Sequence, residues 1–350
     1  MEVELRFMKR ALQLARGGDT MVSPNPMVGA VIIDRDGRII GEGWHRKWGE
    51  GHAEVNAVAS VTDKSLLHDC TMYVTLEPCS HYGKTPPCAE LIIRSGIPRV
   101  VVGCLDPFVK VAGRGVRMLR EAGVEVVVPF MEDECKALNR RFMTAHTEGR
   151  PFVLLKYAMS SDGYIDTPGP VPARWSSPAT MVLMHAQRAR YDAILVGSGT
   201  VLHDDPRLDV RLGDQESPRR QPLKVILDRR GRITDDYRIT RSTPPPVIYR
   251  DGDLKTILSD LYSRGITSLM VEGGAEVLRS FYEESLWDEV RVEVAPMTLR
   301  EALASAESHA VNNKISGDIP LHLHVGLPKQ GCLISELTVD GRRIFTFRNT

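Results

Sequence analysis

Two apolar rhythms alternate along the first half of the chain. Leu5, Met8, Leu12 and Ala15 fall at helical spacing within Glu4–Arg16, and Gly17-Gly18 ends the run. Ser23–Pro26 is a loop, Val28–Ile33 is an unbroken apolar run of buried-strand type, and Asp36-Gly37 turns the chain into Arg38–Gly43. His52–Ser60 predicts a short helix and Thr71–Leu76 a strand. Cys88–Ser95 is a helix closed by Gly96, Arg99–Gly103 a strand, Arg114–Ala122 a helix closed by Gly123, and Val124–Val128 a strand. Met131–His146 carries one helical pattern through Leu138 and Phe142. Strands alternating with helices predict a layered α/β architecture.

A polar break at Thr147–Pro151 places a domain boundary near Arg150, giving domains 1–150 and 151–350. Beyond it, strands are expected at Phe152–Met159, Asp192–Val196, Leu223–Leu227, Val247–Tyr249, Ser268–Val271 and from Trp287 to Val294. Helices are expected at Ser177–Arg190, Asp253–Arg264 and Gly274–Glu284. The tail reads as strands Leu321–Val325, Leu333–Val339 and Arg343–Phe347, after a polar stretch over 300–320 with few landmarks.

Composition narrows the class. A chain of 350 residues is long for one core, and 42% hydrophobic with 26% charged residues is the balance of a globular protein. Lys+Arg and Asp+Glu stand at 45 each, so bulk charge argues for neither nucleic acid nor a membrane as partner. No apolar run is long enough to span a bilayer, and Met1–Arg10 has no signal-peptide core. Cys70, Cys104, Cys135 and Cys332 lie in or beside apolar segments and read as packed, reduced thiols. A cytoplasmic enzyme that binds small molecules and assembles with copies of itself is the expectation.

The densest chemistry lies between His52 and Cys88. H-A-E at His52–Glu54 precedes a strand and then P-C-S-H-Y-G-K-T-P-P-C from Pro78 to Cys88. One imidazole and two thiols are ligands zinc prefers, and three ligands leave the fourth tetrahedral position open to water. Glu54, not needed as a ligand, is placed to move protons. H-x-E followed by P-C and a second Cys is the zinc-deaminase signature. Eight residues separate Cys79 from Cys88, more than the common spacing, and that loop carries Lys84. A closed structural site would need a fourth ligand, for which His81 is the candidate.

With S-P-N-P-M-V-G (Ser23–Gly29), G-W-H (Gly43–His45) and V-A-G-R-G-V (Val111–Val116) added, this half resembles the deaminase part of the bifunctional riboflavin-biosynthesis deaminase–reductase family. That family has a cytidine-deaminase-like α/β/α domain followed by a dihydrofolate-reductase-like α/β domain. It acts on the diamino-hydroxy-pyrimidine ribosyl phosphate made from GTP. The resemblance implies that His52, Cys79 and Cys88 bind Zn2+, that Glu54 is the catalytic proton shuttle, and that Asn25, His45, Lys84 and Asp106 touch the substrate. The family usually reads D-P-N-P where this chain has Asp106-Pro-Phe-Val, so Phe108 replaces an amide.

The second half lacks a G-x-G-x-x-G after a strand. It has Gly197-Ser-Gly-Thr200 and Glu272-Gly-Gly274, turns whose backbone N–H groups can approach a phosphate. K-Y-A-M-S-S-D-G (Lys156–Gly163), Trp175-Ser-Ser-Pro178, the run Asp192–Leu208, Arg211 and V-E-G-G (Val271–Gly274) resemble the reductase part of the same family. By that resemblance Met159, Trp175, Thr200, Asp204, Arg229, Gly274, Ala275, Glu276, Val277, Leu278, Arg279 and Ser280 line an NADPH site. Lys156, Arg188, Leu208, Arg211 and Glu272 then face the substrate. Ala173 and Arg174 depart from the polar pair usual before Trp175. The resemblance thus implies a zinc-dependent deamination followed by NADPH-dependent reduction of the ribosyl group to ribityl. Two rivals are weaker. A nucleic-acid base deaminase lacks the basic, aromatic-interleaved surface it would need, and a ligand-sensing regulator would not need Glu54.

Overall fold

The computed structural model describes residues 4–82, 86–108, 112–167, 173–211, 221–307 and 324–349. Lys84, Val111 and most of the strand expected at Leu321–Val325 lie outside them. Contacts divide the chain into two compact units, Met1–Gly149 and Arg150–Thr350.

In the first unit the elements run α1 (Leu5–Ala15), β1 (Gly29–Ile33), β2 (Ile39–Trp44), α2 (Ala53–Ser60), β3 (Thr71–Leu76), α3 (Cys88–Arg94), β4 (Arg99–Cys104), α4 (Arg114–Glu121), β5 (Glu125–Val127), α5 (Glu132–Leu138) and α6 (Arg140–Glu148). The strands form one sheet in the order β2-β1-β3-β4-β5. β1 pairs antiparallel with β2 and β3, whereas β3, β4 and β5 are parallel. Every residue of β1 and β3 is buried, which is why both read as continuous apolar runs. Alternate residues serve opposite faces. Ile32, Met72, Val74 and Val100 pack under α2, α3 and α4, while Val31, Ile33, Tyr73 and Val101 pack under α1, α5 and α6. The result is an α/β/α sandwich.

The single helix expected over Met131–His146 is two. It breaks at Asn139, whose φ of −110° and ψ of 29° leave the helical region. The cause is tertiary: Asn139 Nδ2 donates to Met27 O at 2.7 Å, and Met27 N donates to Asn139 Oδ1 at 2.8 Å. A buried amide that satisfies a distant loop in both directions outweighs helix propensity.

The second unit contains β6 (Phe152–Met159), α7 (Pro178–Arg188), β7 (Ala193–Gly197), α8 (Ser198–Asp204), β8 (Leu223–Leu227), β9 (Val247–Tyr249), α9 (Leu254–Ser263), β10 (Ser268–Val271), α10 (Ala275–Glu283), β11 (Glu289–Val294), α11 (Leu299–Glu307), β12 (Cys332–Val339) and β13 (Arg342–Arg348). Its sheet runs β12-β13-β11-β6-β10-β7-β8-β9. The six strands from β11 to β9 are mutually parallel, and β12 and β13 add an antiparallel hairpin. One face packs Val153, Leu155 and Val271 against α9 and α10. The other packs Leu154, Ile194, Ile226 and Met270 with Val201 of α8. Helices α8 and α11 have no counterpart in the sequence-based expectation. At the expected Leu321–Val325 strand, the described part shows an isolated bridge between His324 and Tyr164.

Candidate functional site

In an open α/β sheet, ligands gather where parallel strands end. In the first unit, β3 and β4 end side by side. Past β3 come Glu77-Pro78-Cys79, and past β4 comes Asp106. His52 caps α2 and Cys88 opens α3, so both helix starts face the same place. Cys79 Sγ lies 3.6 Å from His52 Nδ1, and Cys88 Sγ lies 3.3 Å from it. All three ligating atoms fall within 4.8 Å of one another. Tetrahedral zinc with bonds of about 2.0–2.3 Å sets its ligand atoms roughly 3.3–3.8 Å apart, so the donors and their spacing fit that ion. His81 is exposed and stands outside the cluster, so the closed-site alternative finds no support among the described residues.

Charge at the cluster suits a cation. Cys79 is pulled down to about 4, first by the hydrogen bond from Cys88 and then by His52, against the cost of burial. The backbone N of Cys88, at the start of α3, donates to Cys79 Sγ at 3.3 Å. His52 is pushed up to about 9, chiefly by its hydrogen bond with Cys79. A bound cation competes with that proton, so ligation weakens as pH falls. Glu54 is buried, and desolvation pushes its carboxyl up to about 7, with His52 opposing. A carboxyl poised there exchanges protons readily at neutral pH.

Around the cluster the structure gathers three of the four substrate residues the resemblance implied. His45 is buried and packs edge-on to the His52 ring at 5.3 Å. Its Nδ1 lies 3.2 Å from Gly51 O and its Nε2 lies 3.2 Å from Asn25 Nδ2. That pairing fits a neutral ring donating from Nδ1 and accepting at Nε2. Burial, which lowers the His45 pKa, favours the same form. Asp106 is pushed up to about 6 by burial, with Glu77 and Cys79 adding to the rise.

Sequence reasoning assigned no role to Glu77. Buried at the end of β3, it accepts from the backbone N of Asp106, Gly113 and Val116 at 3.2, 2.9 and 3.1 Å. It thereby supplies the N-terminal cap that α4 lacks from its own Gly113, which sits in the left-handed region at φ 79°. Gly115 in the first turn lies so close that an added Cβ would stand 2.0 Å from Pro78 O. The Gly113–Val116 part of the motif therefore holds the start of α4 against the loop that presents Cys79.

In the second unit a cavity of about 920 Å³ opens at the ends of β7, β8, β9 and β10. Thr200, Asp204, Arg229, Gly274, Ala275, Glu276, Val277, Arg279 and Ser280 line it, joined by Asp166, Thr167, His203, Arg230 and Arg232. An added Cβ at Gly199 would meet nothing within 4 Å, leaving the start of α8 bare to a ligand. Three expected residues do not line this cavity. Leu278 is fully buried on the core side of α10, and Met159 points into the same core. Trp175 is buried with Ala295 and Leu299, its Nε1 donating to Ile165 O. A run of consecutive helical residues cannot all face one ligand, since 3.6 residues per turn send some of them inward.

Beyond the cavity, Arg291, Lys156 and Glu272 stand in one row across β11, β6 and the end of β10. Arg188 of α7 closes the row, with Nε and Nη2 donating to the two oxygens of Glu272 at 2.6 and 2.8 Å. Burial would raise the Glu272 pKa, but the charge and hydrogen bonds of Arg188 outweigh it and hold it below the ordinary value. Burial pulls Lys156 down, against Glu272 and Glu293. Leu208 takes a left-handed φ of 50°, and the stretch after it is pinned by Arg188 Nη1 to Asp209 O and by Arg211 N to His185 Nδ1. Glu293, another buried carboxylate without a signal in the sequence, accepts from Ser176 Oγ and Thr180 Oγ1 and so fixes the start of α7.

Comparison with known proteins bears on both units. Residues 1–104 match the family described as cytidine and deoxycytidylate deaminase zinc-binding region, and residues 151–306 match RibD C-terminal domain. The riboflavin biosynthesis protein RibD of Aquifex aeolicus is 38% identical over 325 residues, covering 87% of this chain and 90% of the relative. The RibD of Escherichia coli is 35% identical over 324 residues, covering 84% and 88%. Among solved structures, an Acinetobacter baumannii RibD superposes with a TM-score of 0.84 at 32% identity, covering 99% of this chain and 98% of the other. A diaminohydroxyphosphoribosylaminopyrimidine deaminase/5-amino-6-(5-phosphoribosylamino)uracil reductase from Thermotoga maritima gives 0.80 at 35% identity, with the same coverage.

Proposed function

The chain belongs to the RibD family of riboflavin-biosynthesis deaminase–reductases, and from that premise we propose which residues carry each of its two reactions. The enzyme is bifunctional, with zinc and NADPH as cofactors and a small pyrimidine as substrate. Residues 1–150 are the deaminase domain and 151–350 the reductase domain. What carries the first assignment is one observation: His52 Nδ1 and the sulfurs of Cys79 and Cys88 converge beside the buried carboxyl of Glu54.

His52, Cys79 and Cys88 hold the metal. When bound, zinc lowers the pKa of its water toward about 7 and so makes the nucleophile available. Glu54 accepts a proton at its carboxylate and returns it to the departing amine. Burial, which raises its pKa toward neutrality, suits the carboxyl to both taking up and giving back a proton. Asn25, His45 and Asp106 orient the pyrimidine edge, and Lys84 takes the phosphate.

In the reductase domain NADPH supplies the hydride. The starts of α8 and α10 receive its phosphates, and Arg229 with Arg230 holds the 2′-phosphate. Lys156, Arg188, Leu208, Arg211 and Glu272 hold the ribosyl phosphate substrate. Each Glu272 oxygen, already accepting once from Arg188, keeps a lone pair for a sugar hydroxyl.

Metal analysis tests the first assignment. About one zinc per chain is expected, with Cys79→Ala losing both zinc and ammonia release. An unchanged zinc content in Cys79→Ala would refute the ligand set.

The active form is a homo-oligomer, a reading supported by the exposed edge strand β12. The enzyme works in the cytoplasm. All six cysteines are unpaired, which suits a reducing compartment, and no helix among the described residues is long and apolar enough to cross a membrane. Recovery of the protein solely in an oxidising compartment on cell fractionation would contradict that placement.

A further inference from the structure

An aromatic stack rises from the core of the first unit to His81, on the loop that presents Cys79. Phe142 is partly buried against the α1-side core. His146, four residues on and therefore on the same face of α6, packs on it with ring centroids 4.4 Å apart. Phe108 packs on His146 at 5.1 Å, and His81 meets Phe108 at 6.3 Å. The 5.1 and 6.3 Å separations lie within the range of attractive edge-to-face and tilted ring pairs, and 4.4 Å falls at its short end.

The stack is tied to the metal loop on both sides. Phe108 N donates to Asp106 Oδ1 at 2.8 Å, and Asp106 N donates to Glu77 Oε2 at 3.2 Å. Glu77 stands two residues before Cys79, and His81 two residues after it. The Phe108 ring is thus fastened to the loop that presents a metal ligand. Phe142 and His146 lie beyond residues 1–104, the span that matches the deaminase family, and so does Phe108. Where the resembling family usually places an amide, this chain places a π face.

We propose that Phe108, backed by His146 and Phe142, forms a stacking wall of the deaminase pocket against which the flat pyrimidine of the substrate rests. The inference builds on the deaminase reading and deepens it. Hydrogen bonding from Asn25 and His45 reads the edge of the ring, while Phe108 holds its face. Burial lowers the His146 pKa, which favours the neutral ring that packs behind Phe108. A wall of this kind tolerates variation in ring substituents that an amide would discriminate, because every such ring has a π face.

The test is steady-state ammonia release with zinc content measured alongside. Phe108→Ala is expected to raise KM for the pyrimidine substrate about tenfold or more, the scale of one base–aromatic stack, with kcat and zinc unchanged. Phe108→Tyr keeps the ring and is expected to keep KM. If Phe108→Ala misfolds, Phe108→Leu, which retains apolar volume without a π face, takes its place with the same expected rise. An unchanged KM in the Ala or Leu variant overturns the wall, as does a Tyr variant impaired as much as they are. Zinc-loaded wild-type protein that releases no ammonia would overturn the deaminase reading itself, a distinguishable failure.

Discussion

Glu272 and Arg188 form a buried ion pair, each with 8% of its side chain exposed. Removing one partner from such a pair strands the other's charge in the interior, at a cost of about 3–5 kcal/mol. The Glu272 pKa is lowered in the folded protein. A lowered carboxyl pKa adds stability above the unfolded value of about 4.3 and loses it as pH falls through the folded value. The second unit should therefore lose stability on acidification below about pH 4. Glu272→Gln should melt lower than wild type at pH 7 and flatten that acid limb. Calorimetry across pH checks both, and identical melting profiles for the two proteins would contradict the pairing. Glu272 falls within a motif and Arg188 came with the family resemblance, but other buried polar residues were poorly legible in the sequence. His52, Glu54, Cys79 and Cys88 announce themselves by side-chain chemistry at short spacing. Glu77, Asn139 and Glu293 do not, because a buried polar residue is explained by its partners. Those partners lie 29 to 39 residues away for Glu77, 112 for Asn139, and 113 and 117 for Glu293.

Most strands could be read from apolar runs because β1, β3, β7 and β10 are buried along their whole length. Helices were harder wherever a tertiary contact decided the outcome. The split between α5 and α6 follows from the Asn139 clamp, and α8 begins on Ser-Gly-Thr, poor helix formers at a ligand-facing turn. The edge strand β12 is a different case. Leu333, Ile334 and Leu337 are 52%, 41% and 49% exposed on a strand whose outer edge has no partner among the described residues. An exposed apolar edge is a pairing surface that natural proteins cover or blunt. A second copy of the chain is expected to cover it. Light scattering should give a mass above that of one 39.0 kDa chain, and Leu333→Glu with Leu337→Glu should lower it. A monomeric wild type, or a doubly substituted protein of unchanged mass, would count against this interface.

At the scale of the whole molecule, the chain is two α/β units, each with its ligand groups where parallel strands end. Sequence motifs pointed to the residues that gather at these strand ends in both units, because in open α/β sheets side chains for binding and chemistry concentrate there. What they did not convey was facing: Leu278 and Met159 were expected at the cofactor and lie in the core. The central claim is that two independent sites share one chain, and Glu54→Gln tests it most directly. The substitution keeps size and hydrogen bonding but cannot shuttle a proton. Each half-reaction is supplied with its own substrate, with ammonia release and NADPH oxidation followed separately. Ammonia release should fall by about 10²–10⁴-fold, while zinc content and reduction of the already deaminated substrate stay at wild-type levels. Loss of both half-reactions in a folded, zinc-loaded Glu54→Gln protein would contradict the account and point to one composite site.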